Sequence, residues 1–518
     1  MAATSLLLQI SALGIFIHAF FLSISLGFPW VIAALLYKWW RTKSREYYEA
    51  SRNVTGVLGL NFALGAITGT LVEFGLVQAW PGSIFAIATF GLIPLTLELV
   101  AFLGEIVLLV MFIVTIGKVR PPVSLSIIIA YGVMAALSGA LITTVNSWLN
   151  VPWGTGSLAS NLNPFLPPYG PDAINPNALI RLKLELVKAF VATGTASQVL
   201  QNPDLAKMIG VTLVDPSVAF GSPYAWASAV HNVNAGIIVG ISFALVGYAY
   251  RFLKTGNAKY MRILKAFLPI LLMLLILQPT LFGDFMGKAV AFQQPTKFAL
   301  MEGASNTTQN PLVAFLAYGD PQHPIVGFDA FRKQCNSLGS MTLGDLASAA
   351  PDVTLGSISF VSLKSLCLSH LSSSESRLPL ISAVYYLKII FGIVDLVALL
   401  GLAALIFNLG LLAKFTRRVV GRLGERKSIF LLSFIVVLAS IFASGLGWFV
   451  REDGRKPWTV YGLLYPEELV TPVTNGPVFI VFAVLFVAVA VIGVYGIYVV
   501  STKRLKFIEL LKKGAGVE

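Results

Sequence analysis

Nine apolar stretches, at about 6–37, 53–76, 86–117, 122–148, 223–250, 263–283, 379–413, 428–450 and 476–501, alternate along this chain with polar segments. Each reaches the roughly 20 residues that a helix needs to cross the hydrocarbon of a bilayer. The pattern predicts an all-α, polytopic membrane helix bundle of about nine transmembrane helices. Several stretches are longer than the minimum, which implies tilt or extension into the interface. The segments between them alternate in charge. The first holds Lys38, Arg41, Lys43, Arg45 and Arg52, the third Lys118 and Arg120, and the fifth Arg251, Lys254, Lys259, Arg262 and Lys265. The seventh holds Lys414, Arg417, Arg418, Arg422, Arg426 and Lys427, and the tail Lys503, Arg504, Lys506, Lys512 and Lys513. The second, VQAWPGS, has no basic residue. Basic loops stay in the cytoplasm, so the N-terminus is expected outside. Two outer loops are then long, about 149–222 and 284–378, and rich in Pro, Gly, Ser and Asn. Loops of that length are functional or partly disordered. The chain divides into 1–283 (six helices), 284–378 (an external loop) and 379–518 (three helices and a basic tail).

Composition agrees with a multi-pass protein of the cell membrane. The 518 residues are 56% hydrophobic and 12% charged, with a mean hydropathy of +0.81, against about 25% charged in soluble domains. The net charge of +13 falls in short clusters between apolar segments, which excludes a nucleic-acid surface. No basic n-region with a small-residue cleavage site opens the chain, so no removable signal peptide is expected. Cys335 and Cys367 share one polar stretch without CxxC spacing; a disulfide and two free thiols both fit. No CxxCH, phosphate loop, dinucleotide fingerprint or internal repeat is present.

Charge changes the picture most where it is least affordable. Glu98 and Glu105 interrupt LIPLTLELVAFLGEIVLLVMFIVTI. An ionised carboxylate at mid-membrane costs roughly 3 kcal/mol or more unless something there needs it. Seven residues is nearly two helical turns, so both lie on one face. That is the pattern of a proton relay, or of a buried cation or cofactor site. His18 lies inside the first span and His231 near the outer start of the fifth; an imidazole there needs a partner, a ligand or a proton-transfer role. His323 and His370 read as ordinary loop residues. Gly-rich spans such as NFALGAITGTLVEFG let backbones or a flat cofactor approach closely. Glu73 closes the second span, Lys297 and Glu302 lie in the outer loop in QQPTKFALMEG, and Arg455, Pro457 and Trp458 follow the eighth span in GWFVREDGRKPW. Composition alone would equally allow a proton-coupled transporter built on Glu98 and Glu105.

The order of NFALGAITGTLVEFG, LTLELVAFLGE, NSWLNVP, VHNVNAG, PTKFALME and GWFVREDGRKPW resembles subunit I of the cytochrome bd quinol oxidases, from about residue 5 to about 500. The resemblance implies oxidation of a membrane quinol at the outer side and reduction of dioxygen to water with cytoplasmic protons. It implies haem b, with haem d left open, and a second membrane subunit as partner, within lipid. It assigns His18 to an active-site haem iron, His231 to the low-spin haem iron, Glu98 and Glu105 to the haem pair and its protons, and Lys297 and Glu302 to quinol. The family spaces its two carboxylates by eight residues; here the spacing is seven. Two departures stand out. The Met that gives the low-spin haem its second ligand aligns with Ile390, with Lys388 in place of an Arg two residues earlier, where it could serve a propionate or act as a substitute ligand. A Glu ligand before the GW of the eighth span aligns with Gly445. A reduced or altered haem complement is expected. The alternative is a haem-poor paralogue that scaffolds a complete oxidase subunit.

Overall fold

The computed structural model describes residues 2–79, 91–193, 215–469 and 476–502. Its long helices are α1 (Ala2–Thr42), α2 (Arg45–Ala79), α3 (Leu92–Thr115), α4 (Pro121–Asn150), α5 (Pro223–Thr255), α6 (Ala258–Gln293), α7 (Leu378–Phe407), α8 (Glu425–Asp453) and α9 (Gly476–Thr502). Among the described residues, the first eight contain stretches long and apolar enough to cross a membrane. The ninth occupies the last predicted span, with a described apolar stretch at Ala483–Val499. In lipid an α-helix keeps every backbone group bonded within itself, which is why the apolar runs fold this way. The side chain of Glu73 and the basic residues of the C-terminal tail lie outside what the structure describes.

Local signals fix several ends. The Ser222 hydroxyl accepts from the Ala225 amide at 3.3 Å and starts α5; Gly256, at φ 63°, ends it in the left-handed conformation open to glycine. The span expected at 379–413 stops at Phe407, because Asn408 takes a left-handed turn at φ 54°. The remainder starts a separate helix, Gly410–Val420, which exposes Leu411, Phe415 and Val419 beside Arg417 and Arg418. The span expected to end near 283 runs to Gln293, crossing a π-helical turn at Gln278–Gly283 that contains Pro279. Proline cannot donate to the α ladder, and a π turn absorbs the misfit.

Helix α1 packs against α2, α4 and α5, while α8 packs between α5 and α7. The α1–α5 crossing is close. A Cβ on Gly240 would lie 2.1 Å from the Ser23 carbonyl oxygen and 2.8 Å from the Gly27 Cα. Only glycine permits that approach.

The two long segments at about 149–222 and 284–378 are folded wherever they are described. They form one cap on the bundle, with a shared core running from Val145 and Trp148 through Phe165, Tyr169, Phe331 and Leu371 to Trp458 and Tyr461. The Tyr169 hydroxyl donates to the Gln293 carbonyl at 2.9 Å, and the Asn163 amide to the Gly462 carbonyl at 2.6 Å. A short antiparallel pair, Thr155–Gly156 with Tyr169–Asp172, closes one turn. Cys335 and Cys367 form a disulfide. In the described parts, aromatic residues scattered among the prolines and glycines bury each other.

Candidate functional site

Three groups of polar residues stand out, two inside the bundle and one where the bundle meets the cap. In the first, the His18 Nδ1 lies 3.2 Å from the Thr68 hydroxyl. Thr68 is itself tied to the carbonyls of Leu64 and Gly65. The imidazole packs on Gly69, where a Cβ would sit 3.0 Å from the ring. Glu98 and Glu105 project from one face of α3 toward α4. Ser138 donates to Glu98 at 3.0 Å and also reaches Glu105. The buried Tyr131 hydroxyl lies within electrostatic reach of Glu105. Gly445 faces Phe16, two residues before His18 on α1, at 3.6 Å from its would-be Cβ.

The second group surrounds His231 on α5. The amide of Gln278 lies 3.3 and 3.4 Å from the two ring nitrogens, and the Asn234 amide holds Gln278 Oε1 at 2.6 Å. Gln278 opens the π turn of α6, which aims its side chain at α5. Lys388 enters from α7, passing Gly447, whose Cβ would meet its Cε at 3.2 Å. Ile390 is 53% exposed on the outside of the bundle. At about 100° per residue, positions 388 and 390 point in nearly opposite directions. In this conformation Ile390, the position that the resemblance pairs with a second haem ligand, does not face the same way as Lys388.

The third group is cationic. Lys297, 2% exposed, donates to Gln294 Oε1 at 3.2 Å and to the Arg451 carbonyl at 3.4 Å. Arg451 donates to Asn146 at 2.9 Å, to Ser147 at 3.1 Å and to Ser228, and stacks on Trp448 and Tyr224. Arg455 pairs with Glu452 at 2.5 Å, yet its buried Nε and Nη1 have no partner. Burial, then the Arg451 cation, hold the Lys297 ammonium well below the usual lysine range. Burial and the Arg455 cation pull Lys456 down to about 8. Glu302, on the same short helix Pro295–Glu302, points elsewhere, toward Tyr318, Tyr385 and Tyr386. Burial pushes its carboxyl up to about 7. Lys297 and Glu302 therefore sit in different surroundings, one among cations and one among tyrosines.

The chain matches the family described as cytochrome bd terminal oxidase subunit I over residues 9–506. It belongs to that family. A Bacillus subtilis (strain 168) protein assigned as a cytochrome bd menaquinol oxidase subunit I is 22% identical over 475 residues, covering 90% of this chain and 88% of that protein. The bd oxidase structure from Geobacillus thermodenitrificans superposes with a TM-score of 0.67 at 18% identity, covering 96% of this chain and 98% of that one. The chain is thus a subunit of a cytochrome bd quinol oxidase, a multi-pass protein of the cell membrane, and family membership replaces the transporter reading. The family binds haem and works as a complex with a second membrane subunit. Among the described residues, no three His, Cys, Asp or Glu side chains converge as they would for a bare metal. A haem iron needs only one or two axial ligands.

Sequence reasoning missed two polar residues inside the bundle. Gln278 follows a continuous apolar run, and the Pro beside it is the signal that could have flagged it. Asp395, in the middle of α7, is 2% exposed, and its single carboxylate in LKIIFGIVDLVALL was there to be read.

Proposed function

We propose that this bd-type subunit holds haem at two places, against His231 and against His18, oxidises quinol beside Glu302 at the outer side, and delivers cytoplasmic protons to the oxygen site through Glu98 and Glu105. The unpartnered nitrogens of buried Arg455 carry the haem part of this reading. A buried guanidinium without an acceptor is costly. With Lys297, Arg451 and Lys456 near it, the cluster fits the two propionates of a haem whose iron meets His231. An arriving anion would also restore Lys297 toward its charged form, offsetting the burial and the neighbouring cations that lower its pKa. Lys388 suits a propionate better than iron, since the anion needs no neutral amine. The Gln278 amide is what a macrocycle would displace from the imidazole.

A bound haem would supply one-electron transfer from quinol toward oxygen. The chain's own residues do the rest. Glu302 accepts a quinol proton in its half-buried pocket of tyrosines. Thr68 fixes the orientation of the His18 ring, as hydrogen-bonded second partners do for metal-bound imidazoles. Ser138 holds Glu98 and Glu105 in one proton-sharing unit.

The deciding measurement is a pyridine haemochrome assay with a reduced-minus-oxidised spectrum of the purified complex. Haem should be present, and His231→Ala should bleach a low-spin band. A complex without haem would overturn the reading. Glu105→Gln keeps shape but removes the titratable proton, so oxidase turnover should fall by about 10²-fold or more with assembly intact.

A second reading has its own support. The outward Ile390 and the absent carboxylate at Gly445 leave irons short of ligands. On this reading the chain scaffolds a complete paralogous subunit. Quinol-driven oxygen consumption by this chain expressed without a paralogue would exclude it.

A further inference from the structure

Asp395 has no part in the reading above. It lies in α7, seven residues beyond Lys388, hence on the same helix face and about 10 Å deeper in the membrane. The residue is 2% exposed. Its Oδ2 accepts from the Ser440 hydroxyl of α8 at 2.6 Å, and Ser440 lies 3.4 Å from the Ser242 hydroxyl of α5. The other oxygen, Oδ1, is buried with no hydrogen-bond partner. No described ion pair includes Asp395, and no titratable or charged group of α5, α6, α8 or the Gly410–Val420 helix acts on it. Three helices therefore close on one carboxyl with half of its bonding capacity unused.

A purely structural carboxyl would be an expensive choice here, since Asn or Ser would make the same bond to Ser440. What Asp alone offers is a proton that comes and goes. A sodium ion is the other candidate occupant. Hard cations gather about six or more oxygens, and only one free carboxylate oxygen and two hydroxyls are present. Toward the inner end of α8, buried Ser433 and Ser428 continue the line of hydroxyls.

We infer that Asp395 is a second proton-exchanging carboxyl of the membrane interior, clamped by Ser440 on the seam of α5, α7 and α8. Its role rests on the proposed haem at His231. For each electron that quinol delivers to that site, one proton from the inner aqueous phase binds the Asp395 carboxylate and makes the carboxylic acid. When the electron passes on, the O–H bond breaks and the proton returns. Lys388, seven residues earlier on the same face, acts through its charge on His231; a single proton added at Asp395 offsets the single added electron without a new ion being drawn into the bundle.

Infrared difference spectroscopy on the intact complex tests this in two ways. A pH-jump difference spectrum needs no haem. It should show a protonated-carboxyl C=O band that shifts in D2O, is lost in Asp395→Asn, and survives in Glu98→Gln and Glu105→Gln. Ser440→Ala should move the band to higher frequency without removing it. The reduced-minus-oxidised spectrum should show the same band. A pH-jump spectrum unchanged in Asp395→Asn overturns the inference, as does a band that follows sodium concentration at fixed pH. Haemochrome assays on the same samples separate the failures. Wild type without haem sinks the haem reading together with the electron coupling built on it, while normal haem with no Asp395 band sinks this inference alone.

Discussion

Glu302 shows how much one side chain's surroundings decide. Its sequence context, ALMEG, carries no sign of burial. In the structure it is shielded by the cap and by the tyrosines of α7, and keeps its proton up to about pH 7. The sign of the effect on turnover follows. A carboxyl that is to accept a proton from quinol must first be ionised, so quinol oxidation should rise as pH climbs through about 7. Glu302→Gln should flatten that limb and lower the rate on its high-pH side. Steady-state oxygen consumption between acid and mildly alkaline pH checks this; a limb that persists in the variant assigns it to another group. Isolated charges in apolar runs were legible at this scale: Glu98, Glu105, His18 and His231 are visible because charge and imidazole are rare there. The partners were not. Ser138, Thr68 and Gln278 belong to other helices, and only packing brings them within bonding distance.

Elements were readable to the degree that a single force decides them. Span number and rough position follow from apolar length alone. Their ends do not, because those depend on one or two residues with special backbone conformations. Asn408 cuts α7 short, and the π turn at Gln278–Gly283 carries α6 ten residues past its expected end. Helix contacts were equally hidden, since glycines are plentiful in every span. Gly240 against Gly27 is the contact to test. A methyl there meets backbone, which cannot rotate away. Gly240→Ala should cost at least the 1–3 kcal/mol typical of overpacking, about that or more. It should lower the melting temperature of the complex in detergent, whereas Gly247→Ala on the same helix, with open space around it, should not.

The whole molecule is more than a bundle with loops. Cap and helices share residues of one core, from Val145 in α4 to Val450 in α8. Periodicity could not foresee this, because the cap is built from short helices and irregular turns whose apolar residues meet only in three dimensions. The disulfide was left open for the same reason: two cysteines in one stretch carry no record of their distance. Cys335–Cys367 closes a loop with a separation of 32 residues. Chain entropy gives such a cross-link roughly 3–4 kcal/mol against local unfolding. Replacing both cysteines with serine should make the segment between them a site of rapid protease cleavage, while the bundle stays intact on a gel. Equal cleavage rates would mean that the cap core alone keeps the segment closed.

The short helix Gly410–Val420 sets a condition on how the protein rides in its bilayer. Its leucines and Phe415 need acyl chains, and its arginines need phosphates and water. Sliding the chain along the bilayer normal would drown one set or strand the other. The leaflet that this helix meets thus acts as a depth gauge, and a thicker or thinner membrane must be met by tilting the spans rather than by raising or sinking the molecule.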